Sequence, residues 1–401
     1  MLQGNRVYKN WDEQAALYIE QLKKQNNALL LLEDGTVLQG TAFGDTDKGQ
    51  TIGEVVFNTS MTGYQEVLTD PSYCGQIVTM TYPLIGNYGL NIDDMESVSS
   101  HGSGFIVKEV CTHPSNWRSV EQVDDFLKKH KMLGISGIDT RMVTRKIRAR
   151  GTLKGMIVVG APAISQESPS QLHQQFFQQL HEAALIDDQV ARVSTKTIFR
   201  SPGSGHRVVL IDMGAKQAIH RELIRRGCDV FVVPYNTKYE QIRWMRPDGI
   251  MISNGPGNPK SVMETAIELR PFIGKVPVYG ICLGHQLIAL SGGADTEKLK
   301  FGHRGGNHPV KDLRNNRVYI TSQNHSYTVN RLSLEGTGFE VSHVNLNDDT
   351  VEGIVHESGL LASVQYHPES APGPVDSGHV FDEFIDMINK WKIENGGAFY
   401  A

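Results

Sequence analysis

A cysteine stands between two glycines where a short apolar run gives way to a helical pattern. Residues 276–281 are predicted to form a buried strand and the helix to begin near Gly284, so Cys282 occupies a sharp strand-to-helix corner. Gly280 and Gly284 leave room there for neighbouring backbones to pass close together. This G-x-C-x-G pattern is a form of the nucleophile elbow. It places the thiol at the top of a sheet and at a helix N-terminus, where partial positive charge favours the thiolate.

Apolar runs and helical patterns alternate from residue 207 onward. The predicted strands are 207–212, 229–233, 249–253 and 276–281, and the predicted helices are 216–226, 238–245 and 261–270. Such alternation indicates a parallel sheet with helices on both faces. Sites in these sheets lie at the carboxyl ends of strands, and both Cys282 and the Asn254–Gly257 stretch lie at such ends.

A nucleophilic cysteine needs a base, and the sequence offers one after the apolar strand predicted at 360–364. His367 and Glu369 are two residues apart, so their side chains share a face of an extended chain. A carboxylate beside an imidazole fixes its tautomer, and the imidazole can then activate the thiol. The plain alternatives are a buried structural cysteine and a structural loop histidine. The combination of elbow and His-x-Glu favours catalysis.

These residues resemble the motifs of class I, triad-type glutamine amidotransferases. The match lies in Gly280–Gln286 and in His367-Pro-Glu369, and Asn254-Gly-Pro-Gly257 resembles the family's oxyanion loop. The resemblance covers roughly residues 206–393. It implies an α/β fold with a doubly wound, mostly parallel sheet, and hydrolysis of the side-chain amide of glutamine with release of ammonia.

The resemblance also implies residue roles. Cys282 would attack the glutamine carboxamide and form a γ-glutamyl thioester. His367 would protonate the departing ammonia and then activate water, while Glu369 would orient His367. The backbone N–H groups of Leu283 and Gly257 would bind the oxyanion, and one such donor is typically worth about 3 kcal/mol of barrier.

The N-terminal part is predicted to be a β-rich α+β module. Residues 28–32 and 36–42 read as a hairpin around an Asp-Gly turn, and 54–58 as another strand. Loops dense in hydroxyls, glycine and asparagine follow. They resemble the N-terminal domain of the small subunit of carbamoyl phosphate synthetase, through residues 57–66, 69–73, 81–87, 115–118 and 137–141. In that family the serine matching Ser60 reaches the neighbouring domain and helps to hold glutamine; the plain alternative is a turn hydroxyl.

The same family resemblance implies the remaining glutamine-binding residues. With Ser60, they would be Gly255, Gln286, Asn324, Ser326 and Tyr327. Ser326 departs from the family, which usually has glycine at this position. If the backbone needs a positive φ there, serine costs about 1 kcal/mol or more. Three further histidines, at 285, 303 and 308, could act as bases, but they are interpreted as structural residues that form hydrogen bonds to loops.

The predicted organisation has five parts. They are a helical N-terminal extension at 1–27, the β-rich module at 28–160, a helical connector and linker at 161–205, the amidotransferase domain at 206–393 and a tail at 394–401. Within the connector, Ser168 suits a helix N-cap and Pro169 the first helical position. Residues 200–206 have the composition of a linker, and residues 301–309 are expected to form a glycine-rich loop.

Composition excludes several classes of function. The 401-residue chain carries a net charge of −5 and a pI of about 6.3, which argues against a nucleic-acid surface or a basic membrane patch. Its four cysteines are scattered, which argues against a zinc site or a disulfide framework and fits the reducing cytoplasm; no metal is expected in this chain. No phosphate-cradling motif is present.

Over residues 28–393 the chain resembles the glutaminase subunit of bacterial-type carbamoyl phosphate synthetase. That family joins glutamine-derived ammonia to bicarbonate using two ATP, for pyrimidine and arginine synthesis. ATP and Mg are then expected on a separate large subunit, in a heterodimer or higher oligomer, with neither nucleic acid nor membrane as a partner. The rivals are a glutaminase subunit of another synthase, such as anthranilate synthase, a non-catalytic scaffold and a free-standing cysteine hydrolase. The first would lack the module at 28–160, and the second would be expected to lose a triad residue.

Overall fold

The computed structural model describes residues 26–160 and 171–395. Residues 1–25 of the predicted N-terminal extension, the predicted helix start at Ser168 and Pro169, and tail residues 396–401 lie outside this part. The strands are β1 Asn27–Leu32, β2 Val37–Gly44, β3 Gln50–Asn58, β4 Gln76–Met80, β5 Leu84–Ile85, β6 Gly104–Ile106, β7 Glu109–Val110, β8 Leu133–Ser136, β9 Leu153–Val159, β10 Phe199–Ser201, β11 Arg207–Asp212, β12 Asp229–Pro234, β13 Gly249–Ile252, β14 Val278–Ile281, β15 Thr296–Asp312, β16 Val318–Val329, β17 Phe339–Asn345, β18 Val351–His356 and β19 Leu361–Val364. The α-helices are α1 Tyr64–Thr69, α2 Val123–Lys129, α3 Thr140–Arg150, α4 Gln171–Glu182, α5 Gln189–Val193, α6 Gln217–Arg225, α7 Tyr239–Trp244, α8 Met263–Leu269, α9 Leu283–Ser291 and α10 His379–Asn395.

The chain forms two compact units that are not two simple halves of the sequence. Of the described residues, the first unit contains 26–57, 76–91, 102–160 and 171–185, and the second contains 58–75, 92–101 and 186–395. Two short stretches of the β-rich module, 58–75 and 92–101, therefore belong to the unit that carries Cys282.

The first unit is a closed barrel of seven strands in the order β1-β2-β8-β6-β4-β3-β9. The predicted hairpin is present: β1 pairs antiparallel with β2, with Leu30 opposite Leu38. At its turn Gly35 has φ +88°, and the N–H of Thr36 donates to Asp34 Oδ1 over 3.1 Å. Because β1 also pairs with β9 and its apolar side chains are almost fully buried, it is a central strand of the barrel.

The second unit is built on a ten-stranded sheet in the order β10-β12-β11-β13-β14-β19-β18-β17-β15-β16. The strands β12, β11, β13, β14 and β19 run parallel. The other pairings are antiparallel, so the prediction of a mostly parallel sheet is wrong for half of the strands. The antiparallel half of the sheet has short connections between strands, since only antiparallel neighbours can be joined by tight turns.

The predicted glycine-rich loop at 301–309 lies inside β15 and pairs with β16. Bulges between Lys298 and His303 and between Gly305 and His308 absorb the glycines, of which Gly302 has φ +72°. A bulge bends a strand without ending it. Residues 321–327 lie within β16.

The linker predicted at 200–206 is also partly wrong. Phe199–Ser201 form the edge strand β10, which pairs antiparallel with β12. Arg200 Nε lies 2.7 Å from Asp229 Oδ1, which ties this edge to the sheet. A Cβ on Gly203 would lie 2.2 Å from the carbonyl oxygen of Cys228, so this glycine serves a close backbone approach.

The parallel strands place the buried core on both faces of the sheet. Ile250 and Ile252 of β13 pack on one side with α8 and α9, and Met251 packs on the other with α10. Within the described residues no helix is long and apolar enough to cross a lipid bilayer.

Candidate active site

The backbone of Cys282 lies in a region that L-residues rarely adopt. Its φ is +55° and its ψ −104°, at the point where β14 ends and α9 begins. A Cβ on Gly280 would lie 2.5 Å from the carbonyl carbon of Gly284, and a Cβ on Gly284 would lie 2.3 Å from the carbonyl oxygen of Ile252. Both glycines are thus required by the corner. Strain of this kind costs about 1–3 kcal/mol and concentrates at functional sites.

The thiol is almost fully buried at the start of α9. Its Sγ lies 3.6 Å from the carbonyl oxygen of Asn324 on β16, to which the S–H donates. Leu283 is the first residue of α9, so its N–H has no acceptor within the helix. That N–H is therefore available to an oxyanion formed beside the sulfur.

His367 and Glu369 meet beyond the end of β19. Nδ1 of His367 lies 2.6 Å from Glu369 Oε1, and both side chains are buried. The backbone N–H of His367 donates to Ser322 of β16 over 2.9 Å, which fixes the imidazole's position. With Nδ1 donating to the carboxylate, Nε2 is the nitrogen left to exchange a proton with a reacting group, and it has no hydrogen-bond partner among the described residues.

The charges at the site favour a protonated His367 beside an ionised Glu369. Burial lowers the pKa of His367, but the Glu369 carboxylate beside it more than offsets this effect and raises that pKa to about 10. Burial raises the pKa of Glu369, whereas the Lys216 ammonium and His367 bring it down to about 2. The imidazole is thus held as a cation that can transfer a proton.

Sequence reasoning missed Lys216. This lysine is buried, with Nζ 2.7 Å from Glu369 Oε1 and 3.5 Å from His367 Nδ1. Burial lowers its pKa, but Glu369, Asp70 and Glu96 raise it above its ordinary value. One signal existed: Lys216 follows the carboxyl end of β11, the sheet edge that also bears Cys282.

The predicted oxyanion loop follows β13. A Cβ on Gly255 would lie 2.3 Å from the carbonyl oxygen of Met213, and Gly257 has φ +87°, so both positions require glycine. Asn254 is fully buried; its Oδ1 accepts from the N–H of Lys216 over 3.0 Å. The loop is therefore held rigid beside the lysine that contacts Glu369.

Two of the predicted pocket residues are fixed by their own hydrogen bonds. Nδ2 of Asn324 donates to Asp70 Oδ2 over 3.0 Å. Nε2 of Gln286 donates to the carbonyl oxygen of Tyr327 over 2.8 Å and to Gln365 Oε1 over 2.9 Å. Any contact of the Gln286 side chain with a ligand would thus use its oxygen.

Ser326 stands where the family usually has glycine, and the structure shows how the serine is accommodated. Ser326 is not among the residues with positive φ, so the expected strain does not arise. Its hydroxyl accepts from Nη2 of Arg304 over 2.5 Å. A backbone contact to a ligand at this position is compatible with serine.

Ser60 lies in the stretch of the β-rich module that belongs to the second unit. Its hydroxyl is buried and has no hydrogen-bond partner among the described residues, while its N–H donates to Asn58 Oδ1 over 2.7 Å. The preceding Thr59 donates to the carbonyl oxygen of Arg304 over 3.3 Å through its N–H. The segment is thus anchored on β15 beside Ser326, and its free hydroxyl suits a ligand contact.

The three additional histidines are all engaged elsewhere. His285 Nδ1 contacts Ser363 Oγ over 2.8 Å, and burial brings its pKa down to about 3. His308 is half-buried with its ring 5.1 Å from that of His303, and partial burial and repulsion from His303 lower its pKa to about 4. His303 Nε2 lies 2.7 Å from Asp348 Oδ2. None of these contacts involves Cys282.

Comparisons with known proteins match both units. Residues 30–157 match the model of the carbamoyl-phosphate synthase small chain CPSase domain, and 209–387 match that of class-I glutamine amidotransferases. A carbamoyl phosphate synthase small chain of Bacillus caldolyticus is 56% identical over 93% of this chain and 99% of its own length. A relative from Bacillus subtilis (strain 168), named carbamoyl phosphate synthase pyrimidine-specific small chain, is 54% identical over 90% of this chain and 95% of its own length.

Proposed function

The chain belongs to the family of carbamoyl phosphate synthase small chains, and we propose that Cys282, His367 and Glu369 are its glutaminase triad. The chain carries a class-I glutamine amidotransferase domain and is the small subunit of a glutamine-hydrolysing carbamoyl phosphate synthase. One observation carries the triad: the strained Cys282 shares a buried site with His367, and Nδ1 of His367 lies 2.6 Å from Glu369 Oε1.

The proposed chemistry begins with attack of the Cys282 thiolate on the carboxamide carbon of glutamine. The negative charge that develops on the oxygen would be bound by the N–H groups of Leu283 and Gly257. The imidazolium of His367 gives its Nε2 proton to the departing amino group, which leaves as ammonia as the C–N bond breaks, and a γ-glutamyl thioester remains. Neutral His367 then takes a proton from water, the hydroxide attacks the thioester, and the C–S bond breaks to release glutamate, which restores the thiolate and the imidazolium.

The glutamine pocket is proposed to combine three elements of the second unit. The loop after β13 offers Gly255, strand β16 offers Asn324, Ser326 and Tyr327, and helix α9 offers Gln286. Ser60 would complete the pocket with a hydroxyl that donates to the α-carboxylate of glutamine, a charge-assisted hydrogen bond. Its support is the unpartnered, buried state of that hydroxyl.

The ATP-dependent steps are proposed to occur on a large subunit. This chain contains no phosphate-cradling motif, and a small chain by name implies a large one. The large subunit would bind ATP and Mg and receive ammonia through a protected channel, in a heterodimer or higher oligomer. The product would feed pyrimidine synthesis, as the name of the Bacillus subtilis relative indicates, and arginine synthesis would be its second use.

A cytoplasmic location is proposed on the state of the cysteines. All four are free, and three are buried. Unpaired thiols are typical of a reducing compartment.

The proposal is tested by assembling this chain with its large subunit and measuring carbamoyl phosphate formation from glutamine and from ammonium. Glutamine-dependent synthesis that requires the small chain, with ammonium-dependent synthesis that does not, is the expected result. Glutamine hydrolysis that stays unchanged when the large subunit is added would instead favour a free-standing hydrolase.

A further inference from the structure

A second cluster of buried titratable side chains lies in the antiparallel half of the sheet. It consists of His303 on β15, His325 on β16 and Glu352 on β18, all buried. One ligand atom of each lies within 4.8 Å of the others, and Nδ1 of His303 is 3.5 Å from Glu352 Oε1. The triad does not use any of these residues.

The outward nitrogen of each histidine is already committed as a donor. Nε2 of His303 lies 2.7 Å from Asp348 Oδ2, and Nδ1 of His325 lies 2.8 Å from the carbonyl oxygen of Tyr327. A backbone carbonyl can only accept, so His325 carries its proton on Nδ1. Nε2 of His325 and Nδ1 of His303 are therefore the nitrogens that face the cluster.

The inward-facing nitrogens of both histidines lie near one shared acceptor, and Nδ2 of Asn345 lies 3.5 Å from Nδ1 of His303. Gln323 Oε1 lies 2.7 Å from Nε2 of His325 and 3.2 Å from Nδ1 of His303. Glu352 Oε1 accepts from Nδ2 of Asn345 over 3.0 Å, while its Oε2 has no partner among the described residues. Two imidazole nitrogens, an amide oxygen and a carboxylate therefore converge on one buried point.

Protons would also satisfy these contacts: one on Nδ1 of His303 would face Glu352, and one on Nε2 of His325 would face Gln323 Oε1. A metal ion and these protons are alternative occupants of the same buried point, and a measurement of bound metal separates them.

We propose that His303, His325 and Glu352 bind a divalent transition-metal ion, with zinc the best match. Two imidazoles and a carboxylate are a common zinc ligand set, and Gln323 Oε1 is placed to complete a four-coordinate site. Asp348 and Tyr327 hold the outward nitrogens, as partners of metal-bound histidines usually do. The ion's charge would balance Glu352 and Asp348. Cysteine spacing gave no sign of this site, because its ligands are 22 and 27 residues apart and none is a cysteine.

The ion would stiffen the strand that lines the proposed glutamine pocket. His325 directly follows Asn324, whose carbonyl oxygen accepts from the Cys282 thiol. It also lies next to Ser326. A metal that clamps β15, β16 and β18 would therefore hold the pocket wall, while taking no part in the chemistry.

The test uses untagged Cys282→Ser protein, which removes the catalytic thiol as a competing ligand. We expect about one zinc per chain by mass spectrometry of the purified protein. Zinc added back after EDTA treatment should raise the melting temperature. Asp348→Asn, at the half-exposed outer partner, should weaken zinc affinity about 10- to 100-fold. Glu352→Gln should abolish stoichiometric binding, whereas His356→Gln, a histidine change outside the cluster, should leave it intact.

Two results would overturn the proposal. One is Cys282→Ser protein that holds no zinc and whose melting temperature does not respond to zinc. The other is zinc affinity unaffected by Asp348→Asn. If Glu352→Gln does not fold, cobalt substitution decides: a visible absorption band that Asp348→Asn alters supports the site, and no band contradicts it.

Discussion

Lys216 Nζ and Nδ1 of His367 approach the same oxygen of Glu369, at 2.7 Å and 2.6 Å. One carboxylate oxygen therefore lies between two cationic groups in a buried site. Lys216 keeps Glu369 ionised, and Glu369 in turn raises the pKa of His367. Lys216 also lowers that pKa directly by repulsion, so it limits how strongly the imidazole holds its proton.

Replacing Lys216 with methionine should leave Glu369 buried without one of its cations. Removing one partner of a buried pair typically costs about 3–5 kcal/mol of the free energy of unfolding. Glutaminase kcat should fall at least 10-fold with little change in KM, because the lysine contacts Glu369 and not the proposed substrate site. Lys260→Met is the matched control: its pair with Asp295 is largely exposed and should be worth less than about 1 kcal/mol. Equal losses of stability in the two variants would contradict the assigned role.

Cys282→Ser should abolish glutamine-dependent synthesis by the complex and leave ammonium-dependent synthesis intact. A serine in the same position lacks the thiolate that the site stabilises. Both rates should be measured on one preparation with the large subunit. Full glutamine-dependent turnover would show that another residue is the nucleophile.

His367→Ala should be nearly as damaging as Cys282→Ser, and Glu369→Ala milder. The imidazole transfers protons, whereas the carboxylate orients and stabilises it, and residues that act as a unit lose activity together. Steady-state kcat values for the two alanine variants provide the check. A greater loss in Glu369→Ala would reverse these two roles.

Stability should depend on pH through His367. Its pKa is about 10 in the folded chain, above the ordinary value of 6.5. The native state therefore binds the His367 proton more tightly than the unfolded state does. The stability that this proton contributes is complete below pH 6.5 and is lost as the pH rises towards 10. One proton corresponds to about 1.4 kcal/mol per pH unit within that window. Urea unfolding at pH 6.5 to 9.5, in EDTA, should show a shallower decline for His367→Ala than for the unmodified chain. Parallel curves would contradict the raised pKa.

Ser60→Ala should raise the KM for glutamine about 10- to 100-fold, the equivalent of one charge-assisted hydrogen bond. The melting temperature should change little, because the hydroxyl has no hydrogen-bond partner in the part of the chain that the structure describes. The control is Ser291→Ala: its buried hydroxyl donates to Ile288 over 2.7 Å, so stability should fall while KM stays constant. A lower melting temperature with unchanged KM for Ser60→Ala would identify Ser60 as a turn residue.

The parallel strands were predictable from sequence to within about two residues, since buried parallel strands appear as continuous apolar runs. The elbow was also visible, because its glycines lie beside Cys282. The strand conformation of residues 301–309 was not predictable. Their glycines and histidines locally indicate a loop, but pairing with β16 holds them in an extended strand. Lys216 could not be paired with Glu369 either, since 153 residues separate them.

The positive φ of Cys282 bears on how this subunit could change under selection. Glycine is the one residue that would relax this corner, and the relief of about 1–3 kcal/mol exceeds its usual entropic cost of about 0.5–1 kcal/mol. A lineage that kept the subunit only as a scaffold would gain this relief by exchanging cysteine for glycine, at the loss of the packing that the buried thiol makes. The strain at Cys282 therefore lowers the stability cost of losing the nucleophile, so selection for ammonia production has to oppose that loss continually.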